Sequence, residues 1–114
     1  MAIASTFAKN AMATKFGQLA THGAVFTTAP GATAGTEPSG GSPAYARKSL
    51  TWSAPSNGTI TASAVIDLPA GTTVVGTGLF DAATGGNYID GQVETSVEFT
   101  DQDTVTVNYS YTQV

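Results

Sequence analysis

Between Thr59 and Leu68 the chain alternates without a break. The even positions are Ile60, Ala62, Ala64, Ile66 and Leu68, and the odd ones are mostly polar. A repeat of two places one set on each face of a pleated strand, one face buried and the other wet. The same pattern returns through Val93, Val97 and Phe99, and again through Val105, Val107, Tyr109 and Tyr111. Thr72 to Phe80 carries Val74, Val75, Leu79 and Phe80, interrupted by Gly76 and Gly78, which predicts a bulge or a close backbone approach. Pro69-Ala70-Gly71 and Thr84-Gly85-Gly86-Asn87 supply the turns. Ala24 to Thr28 and Tyr45 to Trp52 read as further strands. About six to eight strands at this spacing predict a mainly β domain, an antiparallel β-sandwich or jelly-roll-like body. A chain of 114 residues fits one domain, 1–114.

Before the β body, about 44–112, the pattern changes. Residues 5–20 predict one amphipathic helix, with Ser5 as its cap. Ala8, Met12, Phe16 and Leu19 form an apolar stripe at helical spacing, Gly17 weakens the helix and Gly23 is a plausible stop. Such a helix can plug the end of a β core or anchor the chain on a partner subunit. Residues 29–43 are a loop rich in Pro and Gly, long enough that a functional or mobile role is expected.

Charge is sparse and uneven. Charged residues are 11% of the chain, too few for a charge-laced helical bundle. The cations, Lys9, Lys15, Arg47 and Lys48, all precede residue 50, with Glu37 as the only acid beside them, leaving +3; the rest of the chain carries −7. Nucleic-acid binding needs clustered cations and is not expected. Chance solvation is one reading of the asymmetry; self-association, a basic face meeting a neighbour's acidic one, is the other. No apolar run nears the roughly 20 residues of a membrane span. The N-terminus lacks the pattern of a signal peptide, so synthesis in a cytoplasm is expected.

Little in the sequence can perform chemistry. There is no cysteine, which excludes disulfides, thiolate metal sites and a cysteine nucleophile. The single histidine, His22, has no acid near it in sequence, and no nucleophile elbow or phosphate loop is present. Asp101 and Asp103 could offer oxygen ligands to a cation, although a solvated turn explains them better. Tyr45, Trp52, Tyr88, Tyr109 and Tyr111 could stack on a sugar or simply pack. Neither an enzyme nor a cofactor is expected. In Tyr45-Ala46-Arg47 the ring and the guanidinium share one face of an extended segment. Arg47 can then fasten the loop or contact a neighbouring subunit.

The order of several short motifs resembles a known family. Ser39-Gly40-Gly41-Ser42-Pro43-Ala44-Tyr45-Ala46-Arg47-Lys48 is followed by Leu50-Thr51-Trp52, Pro69 to Val74, Gly78-Leu79-Phe80 and Ala82 to Gly86. Together they resemble the small tail-fibre or minor tail proteins of tailed bacteriophages, especially those of actinobacteria, some relatives of which act as capsid decoration. The resemblance runs from the helix, Ala8-Lys9-Asn10, to the second glycine-rich turn. It implies a non-enzymatic virion structural protein. The implied partners are other virion proteins and further copies of itself, a trimer among the options, with a host-surface glycan as a possible contact. A capsid decoration protein is the alternative, and a carbohydrate-binding module is the alternative from another class. Lys9, Lys15, Tyr45, Arg47 and Lys48 are the candidate interface residues.

Overall fold

A computed structural model describes residues 3–114. Helix α1 (Thr6–Leu19) leads into strands β1 (His22–Phe26) and β2 (Lys48–Ser49). Four longer strands follow: β3 (Thr59–Leu68), β4 (Thr72–Phe80), β5 (Tyr88–Phe99) and β6 (Asp103–Thr112). All pairings are antiparallel, in a four-stranded sheet of order β2-β1-β4-β5 and a two-stranded sheet of β3 and β6. The architecture is the β-sandwich with one N-terminal helix that the alternation demands.

The core lies between the sheets. Ile66 and Leu68 of β3, and Val107 and Tyr109 of β6, meet Val25 of β1 and Val74 and Leu79 of β4. Ile60, Ile66 and Leu68, three of the even positions of β3, are fully buried, as a period of two requires. In β4 the ladder shifts register between Val74 and Gly76. The glycines there serve close approach: Gly76 faces Pro30 and Gly78 lies against the Phe26 ring. Gly71, with φ of +80°, makes the turn between β3 and β4.

The links β3–β4 and β5–β6 both cross between sheets at one end of the body. Leu68 pairs with Asp103 there, and the Gly71 N–H donates to the Phe99 carbonyl at 2.8 Å. Helix α1 occupies the other end, beside the Thr59–Thr112 pair. Asn10 Oδ1 accepts from the Gly58 N–H at 2.8 Å, and the Trp52 indole donates to the Ala20 carbonyl at 2.7 Å. The body is elongated, 47 × 23 × 23 Å.

Several expectations need correction. The helix caps at Ser5, whose hydroxyl accepts from the Ala8 N–H at 3.3 Å, but it ends at Leu19 with Ala20 as its cap. Gly23 is not its stop; it lies inside β1, where the Tyr109 ring fills the space a side chain would need. The expected stripe does not face the core as a unit. Ala13, Phe16, Gly17 and Ala20 turn inward, while Met12 and Leu19 remain 48% and 44% exposed. The reason is distance. A side chain on Gly17 would come within 3.1 Å of Trp52 and Ile60, so the small face seats the helix more closely than the bulky one could. Strand β1 spans 22–26 rather than 24–28, and of 45–52 only Lys48–Ser49 pairs as a strand. Val93 and Val97 alternate as expected, yet they are 57% and 51% exposed because β5 lies at a sheet edge.

Candidate assembly surface

The long loop is tied down along its length, and Thr36 bonds back to Thr27 and Thr28. Tyr88 donates to the Gly31 carbonyl at 2.9 Å. Gln102, from the β5–β6 link, accepts from the Ser42 N–H and donates to the Pro43 carbonyl, both at 3.1 Å. Between them Glu37 is held by Tyr45 and Arg47. The Tyr45 hydroxyl donates to Glu37 Oε1 at 2.7 Å, Arg47 Nε donates to the same oxygen at 3.0 Å, and Arg47 Nη2 donates to Oε2 at 2.9 Å. Arg47 Nη1 donates to the Ala82 and Gly85 carbonyls at 3.0 and 2.8 Å. Its guanidinium carbon lies 3.5 Å from the centroid of Phe80, a cation–π contact.

The electrostatics follow from these contacts. Burial pushes the Glu37 carboxyl up, but the hydrogen bonds from Arg47 and Tyr45 and the Arg47 charge outweigh it and hold the carboxyl below its ordinary value. Burial, reinforced by the bond to Glu37, pushes the Tyr45 phenol well above its ordinary value. Sequence placed Tyr45 and Arg47 on one face, and they do converge. Their shared acceptor, Glu37, was missed, although it is the only acid among the early cations.

The remaining cations divide. Lys48 pairs with Asp67 at 3.1 Å. Among the described residues Lys9 and Lys15 have no ion-pair partner. Lys9 packs its stem beside Gly58, and Lys15 is exposed on the outward side of α1. Around Lys15 that outward side is apolar, with Phe7 84% exposed and Met12 and Leu19 half-exposed.

The aromatic rings do not gather on one face. Phe16, at the helix end, stacks on Tyr111 at 3.9 Å and meets Trp52 edge-on at 6.0 Å. Tyr88 packs edge-on against Phe26 and Phe80. Tyr109 is buried, donates to the Ala24 carbonyl at 3.2 Å, and has its phenol pushed above the ordinary value by burial. His22 Nδ1 bonds the neighbouring Thr21 hydroxyl at 2.9 Å. Asp101 and Asp103 are exposed; Asp103 accepts from the Thr104 N–H at 2.7 Å. Among the described residues no His, Asp or Glu side chains converge into a metal-binding group, and no helix is long and apolar enough to cross a membrane.

Strands β5 and β6 follow one another in sequence but lie in different sheets, and each has one paired neighbour. Between them the sandwich opens sideways into a groove of about 370 Å³, floored by Val74 and Val107 and walled by Val97, Phe99 and Val105. Glu94 stands at its rim.

The best-connected polar groups of this small sandwich, Glu37, Tyr45 and Arg47, are taken up in fastening its own loop. The chain belongs to the family described as Podophage GP4 fiber I protein gp80, whose model matches residues 3–114. It is thereby a phage fibre-type protein and a virion component. The match reaches through β5 and β6, beyond the stretch on which the sequence motifs rest, and it carries no actinobacterial host. No curated protein and no solved structure matches the chain.

Proposed function

We propose that this chain is a non-catalytic structural protein of the phage tail, of the tail-fibre or minor tail type, which assembles on the particle through contacts between proteins. The observation that carries this reading is the family match over residues 3–114 to a fibre protein. The structure supports it in chemical terms. The best-connected polar cluster, Glu37 with Tyr45 and Arg47, is occupied in holding a loop, and His22 bonds only its neighbour. Its partners are other virion proteins and further copies of itself, with Lys9 and Lys15 as the cations left for contact; Tyr45, Arg47 and Lys48 hold the surface in shape.

The test is location and copy number in purified virions. Immunogold labelling should mark the tail, and quantitative mass spectrometry should count few copies per particle. Label over the head with hundreds of copies would make this a capsid decoration protein, and absence from purified virions would end the reading.

A further inference from the structure

The lysines of α1 and the acids of the β5–β6 link lie at different ends of the molecule, while Asp81 and Asp90 stand by the far end of β4. Residues 3–20 contain Lys9 and Lys15 and no acid, and α1 sits beside the Thr59–Thr112 pair. Asp101 and Asp103 lie in or beside the β5–β6 link at the Leu68–Asp103 pair, with Glu98 just before it. Ten paired residues separate these ends, about 30 Å along the strands.

Apolar surface that lacks a cover lies on the outward side of α1 and along the open side of the sandwich. Phe7, Met12 and Leu19 stand around Lys15 on the outward side of α1. The groove between β5 and β6 exposes Val97 and is rimmed by Glu94. Neither strand has a neighbour on that side to close it. The two surfaces are comparable in length, since a helix of 14 residues is about 21 Å long and the groove takes in residues 94–99 of β5, about 17 Å of strand. They match in chemistry too, an apolar ridge with a lysine facing an apolar trough with the Glu94 carboxylate at its rim. The other two cations are committed within the chain, to Glu37 and Asp67.

We infer that the outward face of α1 of one copy docks in the β5–β6 groove of a second copy, a helix-in-groove contact in which Phe7 and Met12 enter the trough and Lys15 meets Glu94. This rests on the assembly role proposed above and names the partner and the surface. The contact is heterologous, because the two surfaces are different parts of one chain, so copies associate head to tail rather than about a two-fold axis. Opposite charge sets the orientation, and the apolar ridge supplies the burial.

The experiment uses the full chain and reads mass by sedimentation and light scattering. The wild type should show species above the 11.5 kDa monomer that grow with concentration and recede as salt is raised. Phe7→Ser and Lys15→Glu change exposed side chains, so each should keep the wild-type melting curve while weakening association by about tenfold or more. The variant Glu94→Lys should also be monomeric alone. Mixing it with Lys15→Glu should restore association, as alternating one-to-one species, because an acidic helix then faces a basic groove and the unaltered Lys15 helix faces an unaltered groove. A wild type that stays monomeric at millimolar concentration, variants that associate as the wild type does, or a mixture that fails to pair would each overturn the inference. A monomer that is nonetheless found on the tail would leave the assembly role standing and assign the helix to another virion protein.

Discussion

Arg47→Ala tests whether the loop is fastened or merely draped. The guanidinium makes two bonds to Glu37, one to each of the Ala82 and Gly85 carbonyls, and lies over Phe80. The side chains of Arg47 and Glu37 are only 10% and 23% exposed. An exposed pair would be worth roughly 0–1 kcal/mol. Breaking a buried pair from one side costs about 3–5 kcal/mol, because the remaining charge keeps its desolvation and loses its partner. Some water reaches Glu37, and the turn carbonyls can be rehydrated, so the lower end, about 3 kcal/mol, is expected. Against a total stability of roughly 5–15 kcal/mol this is a large share, and it should lower Tm by about 12–24 °C. Urea and thermal unfolding followed by Trp52 fluorescence and circular dichroism measure it. The double variant Glu37→Gln/Arg47→Met should lose less than the sum of its single variants, since it leaves no orphaned charge. Acid provides a second readout. The folded Glu37 titrates below its ordinary value of 4.5, so the pair's contribution is whole above that value and is lost as pH falls through the lower folded one. Arg47→Ala should flatten this part of the acid profile. A loss under about 1 kcal/mol with an unchanged acid profile would show that the pair behaves as a surface contact and refute the reasoning.

Three further outcomes follow from the packing. Gly78→Ala places a methyl group into the Phe26 ring and should destabilise by roughly 1–3 kcal/mol in urea unfolding, whereas the same change at Gly31, which has open space around it, should be nearly neutral. Trp52→Phe keeps the ring packing against Phe16 but strands the Ala20 carbonyl at the helix cap, so about 1 kcal/mol should be lost and α1 amides should exchange faster with solvent. Tyr45 and Tyr109, whose phenols titrate above the ordinary value of 10.0, should resist ionisation in an ultraviolet pH titration until the chain unfolds. Stability should hold below about pH 10 and fall as pH rises beyond it, because the unfolded chain ionises first.

The strands were legible wherever one face is buried. Alternation fixes β3 at Thr59–Leu68 and marks the interrupted β4, because a period of two has one structural meaning. Partnership was not legible. Alternation tells which way a side chain points but not which strand lies alongside, so nothing local says that β6 skips β5 to pair with β3. The helix failed for a related reason. Periodicity finds bulky apolar residues, whereas the seat on Trp52 and Ile60 selects small ones, Ala13 and Gly17. Glycine punctuation misled at Gly23, where the demand comes from the ring of Tyr109, far away in sequence. Of the candidate residues, Tyr45 and Arg47 were placed together by strand geometry. Their docking on Phe80 and the Ala82 to Gly86 turn depends on a contact across 35 positions that no local pattern encodes.

The placing of the acids gives the open edge a physical sense. A strand as long as β5 with one free side invites pairing with any other strand, and two copies meeting edge to edge would be the default error. Glu94 and Glu98 make that error costly, since antiparallel pairing of two β5 edges brings four carboxylates within a few residues of one another. The same two residues leave the edge open to a cationic partner, and after Leu50 the chain has no cation to offer. Among the described residues the lysines outside ion pairs, Lys9 and Lys15, belong to the helix, and Lys15 stands on the side that also presents Phe7, Met12 and Leu19. In the docking inferred above, repulsion between like edges and attraction between helix and groove would arise from one charge distribution. An arrangement of this kind favours ordered head-to-tail growth over lateral clumping, which is the property a fibre component requires of an exposed sheet.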